Sequence, residues 1–279
     1  MELGLRNRAA QIRPQVLSKE NAKMGTMLRG LGINTRQFGR GIRHLPAFLR
    51  DYWQLRSSLK QYASDFPIQS WNPCLSDRDD SNGVASGHYF HQDLWVAKQI
   101  FLRNPEKHVD IGSRVDGFIA HLAVFREVEV LDIRAQVSHV PNITFRQADI
   151  TAESFSLENH CDSLSCLHAI EHFGLGRYGD PIDALGHRRG LNNILKCLKP
   201  GGILYLSTPI GPQRIEFNAH RVFALNYLVD WLNPYFDILK FSYVDDRGDL
   251  HPHVELTKDR IADNFNCRYG CGIFELVKK

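Results

Sequence analysis

A strand that runs into a glycine turn is the first group of residues in this sequence with a chemical use. Residues 108–112 read H-V-D-I-G, and Ser113 follows them. Glycine lets the backbone bend sharply after a strand, and a helix that begins there presents free N–H groups to an anion. The next strand, V-E-V-L-D, ends at Asp132, whose carboxylate can accept both hydroxyls of a ribose. This order of elements predicts a pocket for a nucleotide-type cofactor.

Two cofactor classes fit this outline, and the residue after the glycine turn separates them. A dinucleotide motif needs a second glycine where the backbone meets the pyrophosphate, but this chain has Arg114 there. The Y-x-x-x-K pair expected of short-chain dehydrogenases is also missing. S-adenosylmethionine has no pyrophosphate, and its ammonium group is a suitable partner for Asp110. The sequence therefore favours S-adenosylmethionine over NAD.

Ionisable side chains follow two later strands. The segment C-L-H-A-I-E-H supplies His168, Glu171 and His172, and N-A-H-R supplies His220 and Arg221. Histidine can deprotonate a hydroxyl near neutral pH, and arginine can hold a carboxylate or phosphate. We therefore predict the three histidines and Glu171 as catalytic candidates and Arg221 as a substrate-binding residue.

A divalent metal is an alternative use of the same segment. Glu171, His172 and His220 can hold such an ion, with Asp180 or Asp183 completing the ligand set. This alternative is not favoured, because nothing in the sequence shows that these residues come together in space.

Two further pairs of residues are of types that bind metals, but their spacing does not form a metal-binding motif. His88 and His91 are interpreted as packing residues of a helix that leads into the cofactor site. Cys267 and Cys271 lack a second pair with zinc-like spacing, so a structural role is favoured. No metal site is predicted from these residues.

Alternating strands and helices from Gly87 onward must position these side chains. The predicted strands span 108–112, 127–133, 143–149, 161–168, 202–208, 236–245 and 271–277, and the predicted helices span 91–101, 116–126, 185–198 and 221–233. Such alternation implies a parallel sheet with helices on both faces. No long helix separates the last two strands, which are predicted to form an antiparallel pair at the sheet edge.

Three motifs in this order resemble class I S-adenosylmethionine-dependent methyltransferases. They are the glycine turn, C-D-S-L-S-C-L-H-A-I-E-H at the fourth strand, and K-C-L-K-P-G-G-I-L-Y-L-S-T-P at the entry to the fifth. The resemblance covers residues 87–279. It implies an α/β, Rossmann-like fold whose mostly parallel seven-stranded sheet has an antiparallel last strand.

The resemblance also implies which residues contact the cofactor. Carried over position by position, it places Asp110, Gly112 and Ser113 at the methionine part. It places Asp132 and Ile133 at the ribose, and Asp149 and Ile150 at the adenine. The chain departs from the commonest pattern of this superfamily, because Arg114 and Asp116 stand where glycines are usual. That departure motivates an alternative, a noncatalytic methyltransferase-like binding or scaffold protein.

The acceptor is narrowed by a second resemblance. With G-H-Y-F-H-Q-D-L-W-V-A and N-A-H-R-V-F, the whole chain resembles a bacterial family of methyltransferase-like proteins associated with surface polysaccharide synthesis. This implies a small polar acceptor, with O-methylation of a saccharide or sugar-linked intermediate. Nucleic acid is not expected, since the fourth strand lacks an N-P-P-Y type signature and no nucleic-acid-binding module is present. The glycine-rich insertion at 173–190 is predicted to be a substrate lid.

The first part of the chain differs in composition from the rest. Basic residues outnumber acidic ones over residues 1–60, and apolar residues from Phe38 to Leu59 recur at helical spacing, with Pro46 predicted to begin a second helix. We predict a basic helical extension at 1–69, a linker at 70–86 and the methyltransferase-like domain at 87–279. Packing of the amphipathic stripe on its own domain is favoured over contact with an anionic membrane or carrier.

Targeting signals and cysteine usage point to one compartment. The sequence has no apolar signal core and no segment as long as a membrane span. Its six cysteines are scattered and partly embedded in apolar runs, which suits reduced thiols better than a disulfide framework. A cytoplasmic location is therefore expected.

Overall fold

The structure is a computed structural model that describes residues 31–32, 34–62, 66–137 and 139–279. The chain divides into two compact units, residues 1–84 and 85–279. Much of the predicted extension at 1–69, including its first arginines, lies outside the described residues. The predicted boundaries at 69 and 86 stay predictions. No helix of the described ranges combines the length and the apolar character needed to cross a bilayer.

The described part of the first unit is built on one long helix, α1, Thr35–Tyr62. Pro46 lies inside this helix and does not begin a new one, so the predicted break is wrong. A proline removes one helical hydrogen bond, but the turns on either side retain theirs and continue the helix. Tyr52 packs on Trp71, with ring centroids 4.8 Å apart. Arg78, which follows the helix in sequence, forms an ion pair at 2.8 Å with Asp51 of α1.

The second unit contains all the strands of the described chain. They are β1 His108–Ile111, β2 Val128–Asp132, β3 Ile143–Gln147, β4 Cys161–Leu167, β5 Leu198–Ile210, β6 Arg214–Glu216, β7 His220–Val222, β8 Phe236–Val244, β9 Leu250–His251 and β10 Gly270–Lys278. Its α-helices are α2 His88–Arg103, α3 Ala120–Ala123, α4 Gly186–Cys197, α5 Leu225–Leu232 and α6 Lys258–Ala262.

The main sheet has the predicted Rossmann-like arrangement. Its strand order is β3-β2-β1-β4-β5-β10-β8-β9, with β1 to β5 parallel and β10 antiparallel to both β5 and β8. This confirms a mostly parallel sheet with an antiparallel last strand. The sheet has eight strands where seven were predicted, because the two-residue β9 extends the edge beside β8. The predicted antiparallel pair forms, but β10 lies inside the sheet.

Alternation along the central strands explains why helices cover both faces. Leu204 and Leu206 of β5 face a core with Leu191 and Ile194 of α4. Tyr205, between them, faces the opposite core with residues of α2 such as Val96 and Ile100. Successive strand residues point to opposite faces, so a strand buried on both sides reads as a continuous apolar run.

Two predicted helices differ from the observed elements. Residues 221–222, predicted to begin a helix, belong instead to β7, which pairs with β6, so helix α5 begins only at Leu225. The helix predicted at 116–126 is a short π-helical turn, Val115–Ile119, followed by the single turn of α3. Gly117 interrupts it with non-helical angles of φ −123° and ψ −114°. Both differences arise from tertiary pairing and a local glycine that the apolar spacing did not encode.

Candidate functional site

The glycine turn after β1 is required by the fold as well as by any ligand. Gly112 has φ +76°, and a Cβ at this position would meet the Cβ of Ala169 at 3.0 Å. Asp110 lies beneath the turn, fully buried, and accepts hydrogen bonds from the Ser113 backbone N–H at 3.0 Å and hydroxyl at 2.9 Å. The Ser165 hydroxyl donates to the same carboxylate. In this arrangement Asp110 holds Ser113 and the turn in place.

A pocket opens where β1, β2 and β3 end. We call it the Asp132 pocket; its empty volume is about 560 Å³. Its lining includes residues predicted for the cofactor and for catalysis, namely Gly112, Asp132, Ile133, Asp149, Ile150, His168 and His172. The carboxyl ends of neighbouring parallel strands share one edge of the sheet, so residues distant in sequence meet there.

The Asp132 carboxylate is already paired in this structure. Arg134 donates to both of its oxygens, from Nε to Oδ1 at 3.0 Å and from a guanidinium nitrogen to Oδ2 at 2.6 Å. The Arg134 guanidinium also lies over the ring of Tyr178, 4.6 Å from its centroid. A ligand that uses Asp132 therefore has to share this carboxylate with Arg134 or displace it.

Asp149 keeps one carboxylate oxygen available at the far end of the pocket. Thr151 donates from its backbone N–H at 2.8 Å and its hydroxyl at 2.6 Å, both to Oδ1. Within the described ranges, Oδ2 has no protein donor. Ile133 and Ile150 add apolar walls to the same pocket. A flat aromatic base with an exocyclic amino group fits such a combination of apolar walls and a single acceptor.

A second pocket shares the glycine turn with the first. We call it the Arg177 pocket; its empty volume is about 1220 Å³. Gly112, Arg134, His168 and Tyr178 border both pockets. The Arg177 pocket is also lined by Tyr89, Gln92, Asp93, Ser113 and Arg114. Arg114 is paired with Asp116 and Arg134 with Asp132, so Arg177 is the lining guanidinium without a carboxylate partner in the described ranges. This arrangement suits a polar molecule, or one with a single anionic group, beside whatever fills the Asp132 pocket.

His168 and Glu171 form a buried pair at the border of the two pockets. His168 follows β4 with φ +49°, and its Nδ1 lies 2.7 Å from Glu171 Oε1. Burial alone would lower the pKa of His168, but Cys271 and Glu171 outweigh it and raise that pKa well above 6.5. Burial would likewise raise the pKa of Glu171, yet His168 reverses the effect and lowers it. The pair is therefore stabilised in its charged form.

His172 borders the Asp132 pocket and His220 does not. The Nδ1 of His172 lies 2.6 Å from the carbonyl oxygen of Ala219, which leaves Nε2 for other partners. Burial lowers the pKa of His172, so its imidazole is neutral at pH 7. His220 lies behind it, with ring centroids 6.3 Å apart, and packs on Tyr269. The structure brings His168 and His172 to the pocket, with Glu171 and His220 behind them.

Arg221 occupies a structural position. Its guanidinium donates to the carbonyl oxygens of Phe173, at 2.6 Å, and Glu171, at 3.3 Å, and also reaches toward those of Asp183 and Ala184. It is buried and borders neither pocket. These bonds fasten the loop after β4 to β7. Contact between Arg221 and a substrate stays a prediction.

The predicted lid is an ordered loop organised by Asp180. The Asp180 carboxylate accepts backbone N–H bonds from Gly174 at 2.8 Å, Gly176 at 3.1 Å and Tyr178 at 3.2 Å. Tyr178 then borders both pockets. Its role was not singled out from the sequence, although it lies in the predicted lid. Arg134 was also missed, and its position two residues after Asp132 was the only available signal.

One family matches more than half of the chain. It is described as "Caenorhabditis protein of unknown function, DUF268", and the match spans residues 115–263. No curated protein matches the chain.

Solved structures similar to the chain show low sequence identity. An N-methyltransferase, NodS from Bradyrhizobium japonicum with S-adenosyl-L-homocysteine, is 14% identical, with 80% of this chain and 97% of that one covered and a TM-score of 0.45. The 1,6-didemethyltoxoflavin-N1-methyltransferase of Burkholderia thailandensis is also 14% identical, with coverages of 69% and 84% and a TM-score of 0.46. The cyclase SpnF is 17% identical, with coverages of 67% and 80% and a TM-score of 0.48.

Proposed function

This chain belongs to the family described as "Caenorhabditis protein of unknown function, DUF268", and we propose that it is an S-adenosylmethionine-dependent methyltransferase acting on a small polar acceptor. The observation that carries the proposal is convergence at one edge of the sheet. Gly112, Asp132 and Asp149 come from three different strand ends and line the same pocket, beside His168 and His172.

The residues of the Asp132 pocket fit the proposed cofactor chemically. Gly112 lines the pocket with backbone alone, since its φ of +76° and the 3.0 Å approach to Ala169 leave no room for a side chain. Asp132 would hold the ribose hydroxyls, because a carboxylate oxygen can accept more than one hydrogen bond. Asp149 Oδ2 would accept from the adenine amino group between Ile133 and Ile150. When bound, S-adenosylmethionine supplies an electrophilic methyl group.

The chain's own residues have three tasks in this proposal. The Asp132 pocket orients the cofactor, while the adjoining Arg177 pocket, which shares Gly112 and His168 with it, holds the acceptor close to the donor. The reacting hydroxyl of the acceptor has to reach from the Arg177 pocket to the methyl group in the Asp132 pocket. There His172, whose lowered pKa keeps its imidazole neutral, removes the hydroxyl proton through Nε2. Tyr178 and Arg134 cover the border between the two pockets and exclude water from it.

The acceptor that we propose is a saccharide or sugar-linked intermediate methylated at oxygen. A hydroxyl needs a base, which His172 supplies, and a polar acceptor suits a pocket lined by Arg114, Arg177 and Tyr89. Acidic or phosphorylated sugars fit best, because a guanidinium binds a carboxylate or phosphate in a bidentate manner. The sequence resemblance to proteins associated with polysaccharide synthesis favours the same class.

Helix α1 offers a partner surface outside the site. Phe38 and Ile42 are exposed in a helix that also presents Arg36, Arg40 and Arg43. Peripheral contact of this helix with an anionic membrane or carrier is part of the proposal, and so is a cytoplasmic location.

Calorimetric titration of the full chain with S-adenosylmethionine, S-adenosylhomocysteine and NAD tests the cofactor. We expect binding of the first two and none of NAD. Asp132→Asn is expected to weaken that binding by about tenfold or more, since a hydrogen bond to a charged group contributes about 1.5–3 kcal/mol. Asp237→Ala, which removes an exposed carboxylate at the start of β8, is the control and should bind as the wild type does. Folded wild-type protein that binds neither compound would overturn the proposal.

Arg134 provides a variant with the opposite expected sign. Arg134→Gln removes the guanidinium that pairs with Asp132, so the cofactor no longer competes with an ion pair of at most about 1 kcal/mol. We expect affinity to rise up to about fivefold. Arg146→Gln is the matched control, because Arg146 pairs with Glu129 away from both pockets. Weaker binding by Arg134→Gln alone would show that Arg134 contacts the ligand itself.

Transfer of a labelled methyl group to a panel of sugars distinguishes catalysis from binding. The panel contains neutral, acidic and nucleotide-linked saccharides, and we expect transfer to an acidic or nucleotide-linked one. His172→Gln should lower kcat about 100-fold or more, with a much smaller effect on the affinity for S-adenosylhomocysteine. Cofactor binding without transfer to any member would instead support the noncatalytic alternative.

A further inference from the structure

Three side chains with metal-binding atoms meet beside the Arg177 pocket. His88 begins α2, His168 follows β4, and Cys271 is the second residue of β10. One ligand atom from each side chain lies within 4.8 Å of the other two. The sequence alternative for a metal, built on Glu171, His172 and His220, is a different set. Of these three convergent residues, only His168 has a role in the proposed reaction site.

The nitrogen that His168 offers to this cluster lacks a partner. Its Nδ1 is engaged by Glu171, and its Nε2 is buried without any hydrogen bond. The His168 side chain is only 4% exposed. A buried polar atom without a partner is uncommon in folded proteins, and a bound ion or water is one of its standard explanations.

The two remaining ligands differ in their other bonds, since His88 has a hydrogen bond with the Tyr269 backbone and Cys271 has only long contacts. The Cys271 sulfur is fully buried, and its contacts are long, 3.8 Å to Gln92 Oε1 and 3.9 Å to the Gly272 carbonyl oxygen. The ring of His88 stacks on that of His168, with centroids 5.2 Å apart and planes at 6°. An ion that binds here takes the place of the proton on His168 Nε2, which Glu171 and Cys271 stabilise in the metal-free chain.

Metal-binding histidines usually have a hydrogen-bond partner on the ring nitrogen that does not bind the metal, and Glu171 is that partner for His168. A carboxylate bonded to one imidazole nitrogen fixes the ring and directs the other nitrogen at the ion. The Glu171 Oε1 atom lies 2.7 Å from His168 Nδ1, which matches this arrangement. The carboxylate also adds negative charge beside the site.

We propose that His88, His168 and Cys271 bind one divalent zinc-type ion, with Glu171 orienting His168. Two imidazoles and a thiolate form a nitrogen and sulfur ligand set that suits zinc, whereas magnesium and calcium prefer oxygen. Three protein ligands leave a fourth position for water or another oxygen donor. Because His168 also borders both pockets, this ion lies next to the acceptor site. The proposal does not depend on methyl transfer.

Metal titration of the metal-free full chain tests this site without any substitution. We expect one Zn²⁺ per chain by equilibrium dialysis and elemental analysis. The Co²⁺ complex is expected to show a thiolate-to-cobalt charge-transfer band in the near ultraviolet. Absence of stoichiometric Zn²⁺ binding, or a Co²⁺ complex without that band, would overturn the proposal.

Matched substitutions then locate the ligands. His88→Ala and Cys271→Ser are each expected to lower Zn²⁺ affinity by at least about 100-fold, because each removes a direct ligand. The controls are His91→Ala, one turn along α2, and Cys267→Ser, a buried thiol outside the cluster. Both should bind Zn²⁺ as the wild type does. Equal affinity in Cys271→Ser that remains folded by circular dichroism would contradict the assignment.

Discussion

At the scale of single residues, the site combines groups whose charge states are set by burial. Asp110 is the clearest case, because burial raises its pKa to about 7 despite three hydrogen bonds from Ser113 and Ser165. It supports the turn in a form that is protonated in part at neutral pH. His168 and Glu171 show the opposite result, since each stabilises the charge of the other.

The raised pKa of Asp110 predicts how stability depends on pH. Between its ordinary pKa of 3.8 and about 7, the folded chain holds a proton that the unfolded chain has lost, so stability decreases as pH rises through this window. Asp110→Asn removes that decrease. The free energy of unfolding of the variant, relative to that of the wild type, should therefore rise by about 2–4 kcal/mol from pH 4 to pH 8. Urea unfolding at each pH measures it.

Asp162 serves as the control with the opposite sign. Burial acts to raise its pKa, but backbone N–H bonds from Lys107 and Glu106 outweigh it and lower the pKa. Its contribution is present above the unfolded pKa and is lost as pH falls, so Asp162→Asn should lose stability mainly at neutral pH. A difference between Asp110→Asn and wild type that does not change with pH would contradict the assignment.

At the scale of elements, the loop after β4 decides which side chains reach the pockets. The Asp180 carboxylate accepts hydrogen bonds from three backbone N–H groups of this loop. Arg221 of β7 donates to the Phe173 carbonyl oxygen at its start. Asp180→Ala leaves three backbone N–H groups without their acceptor. We expect faster amide exchange at 174–178, a loss of about 1–3 kcal/mol in stability and weaker cofactor binding through Tyr178.

Hydrogen exchange with mass spectrometry measures this loop effect directly. Asp237→Ala is again the control, since its exposed pair with Lys279 contributes little to stability. Unchanged exchange at 174–178 in Asp180→Ala would show that the loop is held by its other contacts.

Element boundaries were predictable to differing degrees. The buried strands β1, β2 and β4 were predicted within one or two residues, because their apolar runs are bounded by turn residues such as Gly112 and Asp132. The hairpin of β6 and β7 was missed, because its strands are short and polar. Pro46 was expected to begin a helix, yet α1 runs through it. Local sequence rules give preferences that neighbouring turns can override.

At the scale of the whole molecule, the site belongs to one of the two compact units. Both pockets and the proposed metal ligands lie within residues 85–279, which also have their own core. A chain that begins at Ala85 is therefore expected to fold cooperatively and to bind S-adenosylhomocysteine and Zn²⁺ with the affinities of the full chain. Thermal unfolding and calorimetry of the two chains provide the comparison. Loss of cooperative unfolding in the shorter chain would show that residues 1–84 support the second unit.

The sequence by itself determined the main alternation of strands and helices, the sharp turn at Gly112 and the carboxylates at the ends of β2 and β3. These follow from short-range patterns, since apolar periodicity and turn residues act over a few neighbouring positions.

Only the tertiary structure decided which partners these side chains have. It paired Asp132 with Arg134, used Arg221 to fasten a loop, and placed β10 between β5 and β8. That last pairing brings Cys271 to His88 and His168, which are distant in the sequence. The physical reason is that convergence depends on how distant strands are ordered in the sheet, and local periodicity carries no information about that order.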